Sequence, residues 1–484
     1  MKNIKLITVL IVIVFLFTAC NRKSNFLQHG TSLTINEAPW GVEFDALPPH
    51  IDNYPHQLLN IKAERVDSLI DFAVKLGIKW VRLSVNWSHI VDTAGIYNWD
   101  MTDRIINGLY NNKIEILLCI NGGHKLYTKG MAPNTSEYIA HWKDFARNLV
   151  NRYKEKVNYW ELWNEPNYIS FWRPYPKAGE YVHLMKEFYS IVNELDPGSK
   201  IVGGSLARLD MPYADSILNL GIGQYINAFS YHPYGEFPEG ITTDIKVSVK
   251  SPVWHIEPDN SVFKLKHKID SINPEIRLWQ AECGYPSQDN SSGWTGNGPW
   301  SPNIQAKWLL RRMMVDLSYN SEIVSYFCMA EYYSGRLLNS KGLLTIKDLS
   351  PKPAYFAYQN LISLLNGKLT GAESTGYNVD IKKFGSFYNI RKNNIKFVNI
   401  CNDKNQQFMA YWIVWRMQDF VNKASMSIET DKPLKNPVLI NLLTGEVLKI
   451  KFKSDNAVQT LLELPLADYP FIITEDVNVS YKSN

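Results

Sequence analysis

Two glutamates occupy comparable positions in a chain of 484 residues. Glu165 closes the run Tyr159-Trp160-Glu161-Leu162-Trp163-Asn164-Glu165-Pro166, and Glu282 sits in Leu278-Trp279-Gln280-Ala281-Glu282-Cys283-Gly284. Both runs are short, aromatic and apolar, the composition of a buried strand, and each carries a carboxyl near its C-terminal end. Two carboxyl groups opposed across a cleft can break a glycosidic bond. One protonates the leaving oxygen, and the other attacks the sugar carbon or activates water. A fold that uses them this way must bring two distant strand ends together.

The surrounding pattern supplies such a fold. From about residue 38 to 366, apolar strand candidates alternate with amphipathic stretches. The strands are read at Trp40–Phe44, Trp80–Trp87, Ile114–Asn121, Val157–Asn164, Lys200–Ala207, Ile226–Tyr234, Ile276–Gly284 and Ile323–Tyr332. Helical periodicity falls at Leu58–Leu76, Ser136–Tyr153, Lys177–Leu195, Pro302–Tyr319 and Pro353–Leu365, and Ser301-Pro302 forms a helix-start signal. Eight strands with intervening helices over this length predict an α/β protein built as a (β/α)₈ TIM barrel, whose active sites gather at the C-terminal ends of the strands. A doubly wound sheet lacks support because no Gly-rich first turn is present. Strands four and seven lie roughly opposite in such a barrel, so Glu165 and Glu282 would face each other. After about residue 367 short alternating segments take over: Phe387–Arg391, Ile395–Asn399, Phe408–Trp415, Val438–Leu443, Glu446–Phe452 and Phe471–Thr474, with a turn at Thr444-Gly445. Residues 367–484 therefore read as an all-β sandwich.

The motif Trp163-Asn164-Glu165-Pro166 resembles the acid/base signature of clan A retaining glycoside hydrolases, and Glu282 matches their strand-seven nucleophile. With Phe171-Trp172 downstream, the chain is most similar to the β-xylosidase-like family 39 and to cellulase-like families. Gly342-Leu343-Leu344, the run Pro351–Tyr358 and Leu442–Glu446 also resemble the barrel end and appended domain of such enzymes. The resemblance implies a double-displacement glycosidase acting on β-linked oligo- or polysaccharides, with Glu282 as nucleophile and Glu165 as acid/base. It assigns Asn164 to the sugar 2-hydroxyl and Arg82 to the nucleophile, whose carboxylate it would keep ionised. It places His232 and Tyr234 in a group contacting sugar and nucleophile, with Tyr231 an open alternative to Tyr234. His124, after Asn121-Gly122-Gly123, is a candidate for the sugar pocket. Strand eight lacks the tryptophan usual in the clan, and Glu331 or Tyr332 is expected in its place. Cys283 should point away from Glu282 as a buried thiol.

Aromatic residues make up 13% of the chain, including 15 Trp and 27 Tyr. Either a large aromatic core or a cleft that stacks flat sugar faces would use them. Trp87, Trp172, Trp254, Trp294 and Trp300 fall in or near proposed βα-loops, and two or three of them are expected to touch substrate. The net charge of +4 is too small and diffuse for a nucleic-acid footprint. Walker A, HExxH, GxGxxG and zinc-site spacings are absent, so no metal or organic cofactor is implied. Cys119, Cys283, Cys328 and Cys401 show no disulfide framework and read as buried thiols.

Lys2 and Lys5, an apolar run from Leu6 to Phe17, and Thr18-Ala19-Cys20 resemble a bacterial lipoprotein signal. Residues 1–19 are then a removable address, Cys20 the lipidation site, and residues 20–37 a tether or a strand added to the β domain. This predicts an exported lipoprotein of a Gram-negative outer membrane, touching the membrane through that anchor only, with oligomeric state open. The competing readings are a non-hydrolytic carbohydrate-binding lipoprotein, a purely structural surface protein, and a transglycosylase on the same barrel.

Overall fold

A computed structural model describes residues 40–44, 62–235, 237–239, 261–291, 298–319, 321–334, 336–374, 377–387, 390–430, 433–455 and 458–479. Eight parallel strands close into a barrel: β1 (Trp40–Phe44), β2 (Trp80–Asn86), β3 (Glu115–Asn121), β4 (Tyr159–Leu162), β5 (Lys200–Ala207), β6 (Ala228–His232), β7 (Arg277–Gln280) and β8 (Ile323–Tyr326). β1 pairs with both β2 and β8, which completes the ring. Helices follow the strands and cover the barrel. The helix Ser136–Tyr153 starts where Thr135 caps it by accepting a hydrogen bond from the backbone N–H of Tyr138, and it buries Ile139, Trp142, Phe145 and Leu149 against the wall.

Because side chains alternate along a strand, the barrel interior is built in layers. The lower layer is aromatic and apolar. Trp80, Tyr159 and Trp279 meet edge to face or tilted, with ring centroids 4.7–5.8 Å apart, beside Leu117, Val202 and Ile323. Two residues further along β2 and β4, the same face carries Arg82 and Glu161. The layer above the plug is therefore polar. Part of the aromatic excess is thus the floor beneath the polar layer.

A short antiparallel hairpin, β9 (Tyr332–Ser334) with β10 (Leu337–Asn339), follows the barrel, and the later strands form two sheets. One has the order β11 (Leu369–Glu373), β13 (Ile395–Asn402), β14 (Gln407–Ile413), β20 (Phe471–Glu475), β16 (Pro437–Asn441), β17 (Val447–Lys449). The other has the order β12 (Asn378–Lys383), β15 (Ala424–Thr430), β19 (Val458–Leu466), β18 (Lys451–Asp455). Two expectations are corrected here. Phe387 and Arg391 are not in a strand, although Phe387 and Ile390 are buried and so mimic one in sequence. Glu446–Phe452 is not a single strand either: the chain leaves one sheet after Lys449 and joins the other at Lys451.

The helix Pro302–Ser318 is buried on nearly every side because it lies between the barrel and the first sheet. Ser301 caps it and Pro302 opens it, as its sequence predicts. Gly371 of β11 passes so close that a Cβ there would stand 2.7 Å from the carbonyl oxygen of Leu317. The helix carries a buried ion pair across the boundary. Arg311 grips Glu239 with Nε and Nη2 at 2.7 and 2.6 Å and donates from Nη1 to the carbonyl of Trp415 at 2.8 Å. The indole of Trp412, from β14, donates to Glu239 at 2.7 Å. Lys307 pairs with Asp468 at 2.9 Å.

Cys119, Cys283 and Cys328 remain thiols, all buried. Cys401, on a strand of the β domain, is buried as well. Cys20, residues 1–19, the tether, Trp254 and Trp294 lie outside the described residues. Among the described residues no helix is long and apolar enough to cross a membrane.

Candidate active site

The polar layer is organised around Arg82. Its Nε donates to Glu161 at 2.6 Å, Nη1 to Glu282 at 3.0 Å, and Nη2 to the Asn164 side-chain oxygen at 2.8 Å and to Ser205 Oγ at 3.3 Å. A guanidinium buried above an aromatic floor must be paired, and two carboxylates share the task. Ser230 Oγ donates to the other Glu161 oxygen at 2.6 Å, so both oxygens of this fully buried carboxylate are engaged. Glu161 was not among the residues read as functional. The two-residue period places it on the inward face of β4, and a charge buried in a central strand demands a partner.

Two strand-end distortions aim the remaining groups. β5 shifts register between Gly203 and Leu206, where Gly204 at φ 91° and Ser205 at φ 48° make a bulge. The carbonyl of Ser205 accepts the backbone N–H of Glu165 at 2.9 Å. Glu165 itself has φ 48° and Trp163 φ 67°, both in the left-handed region that non-glycine residues avoid. Strain of this kind persists only where neighbours fix it, and it turns Glu165 toward the barrel axis. Asn167 closes the arrangement by exchanging hydrogen bonds with the backbone of Ala207.

Glu165, Glu282 and His232 converge. One carboxylate oxygen from each glutamate and a ring nitrogen of His232 lie within 4.8 Å of one another. His232 Nδ1 is 3.1 Å from Glu165 and 3.7 Å from Glu282, and its Nε2 is 3.4 Å from Ser205 Oγ. Burial pushes the imidazole down to about 4, so it stands neutral between the two acids. Burial pushes Glu165 up to about 7, opposed only in part by Arg82 and Arg208. Glu282 has a different surrounding: Arg82 on one oxygen and the Tyr234 hydroxyl on the other at 2.7 Å. The Tyr231 alternative is thereby resolved, since its hydroxyl points away to Ser321. The three converging groups have the ligand types of a cation site, but the Arg82 charge 3.0 Å from Glu282 opposes a second cation there.

Several other expected site residues do not reach the cleft. His124 is buried, with one ring nitrogen 2.8 Å from the Val91 carbonyl and the other accepting the Leu126 N–H. Trp87 is buried in a stack with Tyr127 and Phe145. Trp172 is also buried, against Trp163 and Tyr181, with its indole nitrogen donating to Glu180. These tryptophans hold loops in place. Trp300 is half-buried at the sandwich boundary, stacked on Tyr285. At the end of β8 the aromatic neighbour is Phe327, whose N–H donates to the Cys283 carbonyl at 2.9 Å. Tyr332 packs edge-on against Phe327, whereas Glu331 is committed to Lys352 at 2.8 Å. Cys283 Sγ faces the Pro233 carbonyl, and burial pushes its thiol up to about 12.

Residues 62–185, a stretch that includes Arg82, Glu161, Asn164 and Glu165, match the family model described as glycosyl hydrolase family 1. Similar solved structures include a family 39 glycoside hydrolase from the gut symbiont Bacteroides cellulosilyticus WH2. That pair shares 18% identity and a TM-score of 0.62, over 91% of this chain and 81% of the other. A monomeric β-xylosidase from Caulobacter crescentus CB15 aligns at 13% identity and TM-score 0.53, covering 90% and 95%. A GH30 endoxylanase from Clostridium papyrosolvens C71 aligns at 11% identity and TM-score 0.56, covering 92% and 98%. At these identities the shared property is the fold, a barrel with an appended β domain. The segment match and that fold together support a glycosidase of clan A.

Proposed function

We propose that this chain is a retaining glycoside hydrolase that cleaves β-glycosidic bonds of oligo- or polysaccharides by double displacement. The observation that carries the reading is the opposed pair Glu165 and Glu282, with oxygens inside 4.8 Å and dissimilar surroundings. That spacing is closer to the about 5–5.5 Å of a retaining pair than to the roughly 6.5–9.5 Å of an inverting one. Glu282, bound by Arg82 and Tyr234, attacks the anomeric carbon. Glu165, still carrying its proton near neutrality, donates it to the leaving oxygen. The glycosyl–Glu282 ester forms as the C–O bond to the leaving group breaks. Glu165, now a carboxylate, takes a proton from water, whose oxygen displaces Glu282 and restores both groups. His232, neutral and 3.1 Å from Glu165, adds no net charge while the proton moves. The Asn164 oxygen is held by Arg82, which leaves its amide N–H₂ to donate to a sugar hydroxyl.

β-Xylosides are the first substrates to try, because two of the fold neighbours are described as a xylosidase and an endoxylanase. Proton NMR of the first-formed product reads the stereochemistry directly: this reading requires the β-anomer. Glu165→Gln retaining full activity on an unactivated disaccharide would remove Glu165 from the acid/base role. A carbohydrate-binding protein without hydrolysis gains nothing from a carboxyl held protonated near pH 7, which favours the enzyme. We also propose that the chain is exported and anchored by lipid at Cys20. Cys20→Ala should then move the protein from the detergent phase to the aqueous phase in a Triton X-114 partition.

A further inference from the structure

Four large apolar side chains stand in solvent within the loop that joins β4 to the helix Ala178–Leu195. Tyr168 is 51% exposed, Ile169 49%, Phe171 38% and Tyr175 65%. Single exposed hydrophobics are ordinary, but several on one loop, with the rings of Tyr168 and Phe171 in contact, require a reason. The loop is fastened from beneath: the Trp163 indole donates to the Phe171 carbonyl at 3.2 Å, and Trp172 packs between Trp163 and Tyr181. The carbonyl of Arg173 accepts the Ala132 N–H at 3.1 Å. Burying Trp172 thus turns its neighbours outward, and the exposed rings are held without a cost in loop order.

The position of the loop identifies what the rings meet. The Tyr168 N–H donates to the Glu165 carbonyl at 2.9 Å, a turn that keeps the two Cα atoms within about 7 Å. The Phe171 and Trp172 N–H groups both donate to the Tyr168 carbonyl, so Phe171 follows one turn later. The rings of Tyr168 and Phe171 lie 6.3 Å apart with planes tilted by 46°, forming one broad apolar surface. A group that protonates the leaving oxygen sits between the sugar being attacked and the sugar being released, and Glu282 holds the opposite side. Chain that continues outward from Glu165 borders the released portion. We infer that Tyr168 and Phe171 form a stacking platform for the leaving-group sugar, so that the natural substrate carries a saccharide on that side of the cleaved bond. This deepens the hydrolase reading and rests on it.

The test uses the full chain and its Tyr168→Ala, Phe171→Ala and Tyr168→Phe variants. The probes are β-xylosyl, β-glucosyl and β-galactosyl fluorides, which have no leaving sugar, and the matching β-1,4-linked di-, tri- and tetrasaccharides. The platform predicts a fall of about tenfold in kcat/KM on the oligosaccharides for each alanine variant, the size of one lost aromatic contact. It predicts a change under about twofold on the fluorides, and recovery in Tyr168→Phe. Equal losses on both probe types would mean that the loop acts on Glu165 and not on the sugar, and would overturn the inference. So would oligosaccharide turnover unaffected by either alanine, including the case in which those variants alter self-association instead. A wild-type chain that cleaves none of the fluorides would instead overturn the hydrolase reading, and this one with it.

Discussion

Glu165 and Glu239 are both buried glutamates near arginines, yet their protons behave in opposite ways. Glu239, at the barrel–sandwich boundary, is gripped by two nitrogens of Arg311 and by the Trp412 indole. Burial would raise its pKa, but the contact with Arg311 outweighs that and holds it below the ordinary carboxylate value. At Glu165 burial dominates, the nearby charges of Arg82 and Arg208 offset it only in part, and the pKa rises to about 7. The difference lies in how far neighbouring positive charge offsets burial: at Glu239 the charge of Arg311, helped by its hydrogen bonds, outweighs burial, and at Glu165 the arginines do not. Glu282 lies between these cases. It is paired like Glu239, yet close enough to Glu165 for the two to share one small space.

The largest effect that would break this contrast is catalytic. Glu282→Ala is expected to lose on the order of 10⁴-fold or more in kcat, and Glu165→Gln about 10²–10⁴-fold on an unactivated oligosaccharide. Glu239→Gln should leave kcat of the folded protein within a few-fold. Steady-state kinetics on purified variants decides, and a large kcat loss in Glu239→Gln would erase the distinction. Next in size is stability. Glu239→Gln leaves Arg311 buried with its charge unanswered and should cost about 3–5 kcal/mol in urea unfolding, with Glu165→Gln far milder. The smallest effect is in the pH dependence. The raised Glu165 carboxyl opposes folding once ionised. This cost is absent below its unfolded pKa, grows between about 4.5 and 7, and is full above 7. Glu165→Gln should therefore gain stability relative to wild type as pH rises from about 4.5 to 7 and level off above, while activity of the wild type falls as pH rises through 7. Glu239 has the opposite sign: its contribution is full above the unfolded pKa and is lost as pH falls through its lowered one. Thermal unfolding of wild type, Glu165→Gln and Glu239→Gln between about pH 2 and 9 separates the two slopes, that of Glu239 falling below about 4.5.

The barrel was legible because each strand is an apolar run, several of them aromatic, bounded by polar loop residues, and β1 and β5 have the expected limits. The helices Asp100–Asn111, Met211–Asn219 and Ser261–Ile272 were not read. The sandwich was harder, since buried apolar residues in irregular chain, such as Phe387 and Ile390, imitate a strand. Sheet changes such as the one at Ile450 leave no sequence signal. At the site, residue type and strand-end position brought out Glu165 and Glu282, and the family resemblance brought out Arg82 and Tyr234. They could not tell a tryptophan facing the cleft from one packed beneath it. Trp87 and Trp172 were read as sugar contacts and are anchors, whereas the exposed Tyr168 and Phe171 beside them were overlooked. Glu161 was passed over because a charge that only braces another charge looks the same in sequence as one that reacts.

The central claim is that Glu282 forms a covalent bond to the sugar while Glu165 manages the proton. Incubation of the full chain with 2-deoxy-2-fluoro-β-glycosyl fluorides of xylose, glucose and galactose, followed by peptide mass spectrometry, tests it most directly. The account predicts one glycosyl adduct per chain, on Glu282, with loss of activity in step with labelling. An adduct on another residue, or turnover of a substrate with inverted product and no adduct, would contradict it.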